Sequence, residues 1–169
     1  MKMHTVRASS VILLLAFASA FLSGCANHIS VASKYIKTEI PDKAKVLKCI
    51  DDEDWFWCVI QFDDKDSDAF KSTVLSSLAW HPMPLAPELQ EAEDFLQPKT
   101  SEFAGHIPTK NKHGFYYFRD IEAEYLDGRS NPAKQKNSSI PFFKKGGMNY
   151  VFGYFDDREN KLYLWWCHT

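Results

Sequence analysis

The sequence lacks the short motifs that mark common enzyme active sites. It contains no G-x-S-x-G elbow, no S-x-x-K and no glycine-rich phosphate loop. It also lacks the zinc-binding motif H-E-x-x-H. His106 and His113 are spaced too loosely to predict a metal site. His168 follows Cys167, but adjacent strand residues point to opposite faces, which argues against a thiol–imidazole pair. We therefore predict no catalytic residue, metal or cofactor, and an enzyme is the less favoured class.

A clustered basic face is also missing. The chain holds 20 Lys and Arg residues against 22 Asp and Glu, for a net charge of −2. Proteins that bind nucleic acid usually concentrate Lys and Arg on one face or along one helix. The distribution of charge therefore argues against nucleic acid as a partner.

Charged residues are absent from residues 8–33, which follow Lys2 and Arg7. Within that stretch, residues 11–22 read VILLLAFASAFL. Positive residues followed by a short apolar core are typical of a secretory signal peptide. Twelve residues of helix span roughly 18 Å, well short of the ~30 Å hydrocarbon core of a bilayer. We predict that residues 1–24 are a signal peptide; an uncleaved transmembrane anchor and a signal peptide cut elsewhere are the alternatives.

The residues LSGC at 22–25 resemble the lipobox of bacterial lipoproteins. The resemblance implies that the Cys25 thiol carries a diacylglyceryl group, that cleavage occurs just before it, and that the new amino terminus is acylated, for example with palmitate. Two or three acyl chains give stable membrane anchoring, whereas one gives only marginal binding. The resemblance also implies an outer-membrane position facing the periplasm, because Ala26 replaces the Asp that favours retention in the inner membrane.

Removal of the predicted signal peptide leaves residues 25–169. Lys2 and Arg7 account for two of the 20 basic residues, so this part holds 18 against 22 acidic ones, a net charge of −4. Its length suffices for one domain with a real core. We predict a lipidated tether over residues 25–34 and a single globular domain over residues 35–169.

A β-hairpin is predicted over residues 44–62, where two apolar runs flank the acidic sequence DDED. Placing Cys49 opposite Cys58 puts Leu47 opposite Ile60, with all four side chains on one face. Directly opposed strand residues meet the Cα spacing of about 4.4–6.8 Å that a disulfide needs. A Cys49–Cys58 disulfide is therefore possible; pairing of either residue with Cys167, or no disulfide, remains open.

Four further elements are predicted along the chain. Residues 66–80 have helical periodicity, and a second short helix begins at Pro87 and extends to residue 96. A strand is expected over residues 114–119, and a hairpin over residues 148–169, whose last strand is apolar enough to lie inside the sheet. The order predicts an α+β fold: a mostly antiparallel sheet of about five strands with one or two helices packed on it.

The first predicted helix has identifiable ends and a buried side. Asp66 or Ser67 is expected to cap its first amides, and the prolines after His81 end it. Spacings of three and four residues place Phe70, Val74 and Leu78 on one side. We expect that side to face the sheet.

The hairpin tip is the candidate site for binding a partner protein of unknown identity. Four acids and two tryptophans are close together there: Asp51, Asp52, Glu53, Asp54, Trp55 and Trp57. Exposed aromatic residues ringed by charge are effective anchors at interfaces. The alternative is that a helix covers the tryptophans, which are then part of the core.

Together these features predict a lipid-anchored protein of the cell envelope. Its domain is expected to be a non-catalytic binding domain of the inhibitor, immunity or accessory type. Two alternatives stay open: an envelope enzyme that acts on cell-wall material, and a structural accessory of an outer-membrane assembly.

Overall fold

Alternating apolar residues build one antiparallel sheet. The computed structural model describes residues 28–91, 113–121 and 149–168. The strands are β1 (Lys45–Asp52), β2 (Trp55–Gln61), β3 (Trp80–Pro82), β4 (Phe115–Asp120), β5 (Asn149–Asp156) and β6 (Lys161–His168). The helices are α1 (residues 28–36), α2 (Asp64–Ser76) and α3 (Pro87–Glu91). The predicted α+β fold is confirmed, with six strands in the described residues rather than about five.

The last strand lies inside the sheet, as its apolar sequence predicts. The strand order is β1-β2-β6-β5-β4-β3, and every neighbouring pair is antiparallel. Strand β6 therefore pairs with β2 on one side and with β5 on the other. Among the described strands, β6 alone joins the first hairpin to the rest of the sheet.

Each face of the sheet has its own apolar core because neighbouring strand residues point in opposite directions. On the first face, helices α1 and α2 contribute Ile36, Phe70 and Val74 to the core around Cys58 and Leu164. We call this the helix face. The second face buries another set, contributed by four of the strands, α3 and the segment before it: Trp57, Val59, Met83, Leu85, Leu89, Tyr116, Tyr150, Phe152, Tyr154, Trp165 and Cys167.

Helix α1 occupies part of the predicted tether. Its Ile29, Ala32 and Ile36 follow helical spacing and are all buried in the core of the helix face. The helix ends where Lys37 adopts a left-handed conformation with φ 50°, which lets the Thr38 amide donate to the Ser33 carbonyl at 3.2 Å. The stretch predicted as a tether is thus helical and packed on the sheet from residue 28 onward.

The first hairpin has the predicted pairing at its centre but not near its start. Cys49 lies opposite Cys58, as predicted. Leu47 does not lie opposite Ile60, because a bulge shifts the register and Val46 takes that position. Leu47 is consequently 47% exposed instead of packing with the cysteines.

Helix α2 starts earlier and ends earlier than predicted. Its N-cap is Asp63, whose carboxylate accepts the Asp66 amide at 2.8 Å, so the predicted cap at Asp66 or Ser67 is wrong. Phe70 and Val74 are buried, as predicted. Leu78 lies beyond the helix end at Ser76 and is 97% exposed, so its predicted place on the buried side is wrong.

Asn160 joins the β5–β6 turn to the start of α2. It adopts a left-handed conformation with φ 54°, which asparagine tolerates better than most residues. Its side-chain oxygen accepts the Ser67 hydroxyl at 2.7 Å, and its side-chain nitrogen donates to Asp64 at 2.9 Å. Its carbonyl also accepts the Phe62 amide at 2.9 Å. One residue therefore fixes the turn against the helix.

Strand β3 was not predicted, because three residues ending in proline give too short a pattern. Its Trp80 side chain donates to the Thr38 hydroxyl at 3.0 Å, which connects β3 with the end of α1. Helix α3 begins at Pro87, as predicted; residues 92–96 lie outside the described residues. Just before β4, Gly114 has φ 91°, and an added Cβ would overlap the Phe155 carbonyl oxygen.

Candidate partner-binding turn

The acidic turn, defined as Asp51 to Asp54, is exposed at one end of the sheet. All four side chains are exposed to solvent. The turn is nevertheless well anchored, because the Asp52 carboxylate accepts the Glu53 amide at 2.8 Å. In addition, the His168 amide donates to the Asp54 carbonyl at 3.0 Å. The arrangement presents four negative charges on a backbone held by the central strand β6.

The two tryptophans beside the turn differ in exposure. Trp55 is half-buried and packs edge-on against Trp165, with 5.3 Å between ring centres. Trp57 is only 2% exposed and belongs to the core of the second face. The Lys48 ammonium lies 5.3 Å from the centre of the Trp57 ring. Trp55 therefore offers an apolar contact next to the acids, whereas Trp57 is a core residue.

Helix α1 contacts the acidic turn through His28. The His28 Nδ1 atom lies 3.9 Å from a carboxylate oxygen of Asp51, and both side chains are partly exposed. Tyr35, two helical turns further along the same side of α1, stacks on Trp166 with 5.1 Å between ring centres. Burial, and secondarily the Asp51 charge, raises the pKa of the Tyr35 hydroxyl. The first described residues of α1 and the acidic turn thus lie together at one end of the sheet.

Sequence reasoning missed the contribution of α1 to this end of the molecule. The signal was present, since Ile29, Ala32 and Ile36 have the spacing of one helix face. The polar residues between them and the preceding signal-like segment favoured a tether instead. Tyr35 was for the same reason placed at the domain boundary rather than beside the turn.

The predicted disulfide remains a prediction. Cys49 is half-buried and Cys58 is buried, and they occupy directly opposed positions on β1 and β2. Both residues carry thiols in the structure. The predicted lipidation site, Cys25, and the lipobox around it lie outside the described residues.

Cys167 is buried in the core of the second face. It is 3% exposed, while the neighbouring His168 is exposed and stacks with Trp166 at 6.3 Å between ring centres on the helix face. The Cys167 thiol and the His168 imidazole therefore point to opposite faces of the sheet and do not form a pair. Near Cys167, Tyr150 accepts a hydrogen bond from the Trp165 indole at 2.9 Å, and burial raises the pKa of the Tyr150 hydroxyl.

The remaining candidate metal-binding residues do not come together in the described part of the chain. There, no three His, Cys, Asp or Glu side chains are grouped so that they could hold a metal ion. His113 uses its backbone carbonyl to accept the Tyr154 hydroxyl at 2.9 Å, and His106 lies outside the described residues. Among the helices described, none is long and apolar enough to cross a membrane.

Comparison with known proteins identifies no relative. No protein-family model, no curated protein and no solved structure matches the chain significantly. Function must therefore be argued from the geometry. In the acidic turn, four exposed charges lie next to the partly exposed Trp55 on a well-anchored backbone.

Proposed function

We propose that the protein is a lipid-anchored protein of the cell envelope whose domain binds another protein through the acidic turn and Trp55. The lipid is attached at Cys25. It anchors the protein to the periplasmic side of the outer membrane. The domain is of the inhibitor, immunity or accessory type and acts by binding rather than by catalysis.

The exposure of four adjacent carboxylates carries this proposal. Side chains that only capped a turn would accept hydrogen bonds from local amides. Among the described residues, Asp52 is the one acid of the turn whose carboxylate accepts such a bond, from the Glu53 amide. Such a charge density attracts a basic surface and raises the rate of encounter. Trp55 then supplies a rigid aromatic contact at the edge of the charged patch.

The binding test replaces the four acids together: Asp51→Asn, Asp52→Asn, Glu53→Gln and Asp54→Asn. A matched control neutralises four exposed acids elsewhere: Asp42→Asn, Asp68→Asn, Glu88→Gln and Glu91→Gln. Both variants change the net charge by the same amount. Proteins captured from envelope extracts by the parent chain should be lost with the turn variant and kept with the control. Equal loss in both variants, or no loss in either, would contradict the proposal.

The anchor is tested independently of the partner. Mass spectrometry of the mature amino terminus should show diacylglyceryl on Cys25, and Cys25→Ser should release the domain from the membrane fraction. A serine variant that is cut at the same bond and stays with the membranes would refute the lipid anchor.

A further inference from the structure

The first described residues of the domain are close in sequence to the proposed lipid. His28 lies within helix α1, and Ile29 is already buried in the core at 6% exposure. Only Ala26 and Asn27 separate Cys25 from His28. Each residue of fully extended chain spans at most about 3.6 Å, so the Cα atoms of Cys25 and His28 lie within about 11 Å of each other.

The start of α1 is also close to the acidic turn. The His28 imidazole is 3.9 Å from the Asp51 carboxylate, and Asp51 is the first residue of the turn. The β5–β6 turn around Arg158 lies at the opposite end of the sheet, because β2 and β6 run antiparallel and pair Gln61 with Lys161 there. Strands of eight residues separate the two ends by roughly 25 Å.

We infer that the bilayer surface lies against the end of the sheet that holds the acidic turn, and that the β5–β6 turn points away from the membrane. This inference rests on the lipid anchor of the proposed function. The reach of the linker is too short for the domain to move away from the headgroups or to turn its acidic end toward the distant periplasm. A protein that binds the acidic turn must therefore reach it at headgroup level, as a membrane-embedded partner does.

Electrostatics sets how closely this end approaches the bilayer. The four carboxylates of the turn repel anionic headgroups, and at physiological ionic strength this repulsion decays over about 8 Å. That distance is similar to the reach of the linker. The acidic turn is therefore held beside the surface rather than inserted into it, and Trp55 stays available to a protein.

Energy transfer to labelled lipids tests the orientation on the full lipidated chain. An azide-bearing phenylalanine replaces Glu53 in one variant and Arg158 in another, both exposed positions, and carries the donor dye. The vesicles contain phosphatidylethanolamine and phosphatidylglycerol with an acceptor on the headgroup. We expect transfer from position 53 to exceed transfer from position 158 several-fold.

A lengthened chain is the matched control. Inserting about 20 Gly and Ser residues between Cys25 and His28 gives a flexible linker with a mean span of roughly 25 Å, which should abolish the difference. Equal transfer from both positions in the native-length, lipidated chain overturns the orientation while the anchor stands. A mass spectrum without diacylglyceryl on Cys25 instead refutes the anchor, and the orientation with it.

Discussion

Replacement of Tyr150 by phenylalanine should make the stability of the domain less sensitive to alkaline pH. Tyr150 is almost fully buried, at 1% exposure, and burial raises the pKa of its hydroxyl above the ordinary value of 10.0. The folded state therefore keeps the proton at a pH where the unfolded chain has lost it. The resulting stability is fully present below pH 10 and is lost as the pH rises further.

The size of the effect follows from linkage. At pH 11 an unfolded tyrosine with a pKa of 10.0 is about nine-tenths ionised, and folding must return its proton at a cost of about 1.4 kcal/mol. Phenylalanine pays no such cost. At neutral pH, however, Tyr150→Phe removes the acceptor of the 2.9 Å hydrogen bond from Trp165 and should destabilise the domain by about 1–3 kcal/mol.

The difference between the two chains is the measured quantity. Urea unfolding of the parent and of Tyr150→Phe, both carrying Cys25→Ser to avoid lipid, should be compared at pH 7, 9 and about 11. We expect the deficit of the variant to be constant up to pH 9 and to shrink by about 1.4 kcal/mol by pH 11. All other titrating groups are shared by both chains. A deficit that stays constant to pH 11 would refute the reasoning.

Three further perturbations follow from the fold. In Gly114→Ala, the added Cβ overlaps a carbonyl oxygen at φ 91°, and we expect the free energy of unfolding in urea to fall by about 2–4 kcal/mol. The control is Gly153→Ala, whose added Cβ has a side chain as its nearest contact at 3.3 Å and should lower that free energy by about 1 kcal/mol or less. Equal losses would contradict the strain at Gly114. If Cys49 and Cys58 pair in an oxidising compartment, thiol titration of the unfolded, lipidated protein should find one free thiol, and three would exclude a disulfide. Asn160→Ala should cost about 1–3 kcal/mol and raise hydrogen exchange at the start of α2, and unchanged exchange there would show that the turn does not hold the helix.

The alternation of apolar residues was sufficient to predict the hairpins, but not their irregularities. Cys49 and Cys58 lie opposite each other because each is four residues from the nearer residue of the Glu53–Asp54 tip. The bulge at Leu47 adds a residue to one strand only, and no turn or glycine signals it. Since a bulge changes which side chains face the core, Leu47 was placed on the wrong side.

The end of α2 could not be read from periodicity, because Leu78 continues the apolar pattern after the helix has stopped. The helix ends there because Trp80, four residues further on, is extended and pairs with Tyr117 in the short strand β3. Such a strand has too few residues to show a pattern of its own. Propensity is a weak guide where a neighbouring strand decides the backbone conformation.

The charges of the candidate site could be predicted from the sequence. The burial of its tryptophans and its contact with α1 could not. The acids of the turn follow directly from the hairpin and its exposed tip. The burial of Trp57 depends on the second apolar face, which residues distant in sequence assemble, among them Leu89 and Tyr150. Likewise, the contact between His28 and Asp51 joins an element that the sequence placed outside the domain.

The position of β6 sets when the sheet can be completed during synthesis. Strand β6 separates the first hairpin from β5, so among the described strands none joins these parts edge to edge until residues 161–168 have emerged. A chain that stalls or ends before this point holds two sheet fragments, each with an open edge that invites pairing with other chains. Sheet closure therefore waits until residues 161–168 have been made, and deletion of these eight residues would divide the sheet into two parts rather than shorten one edge.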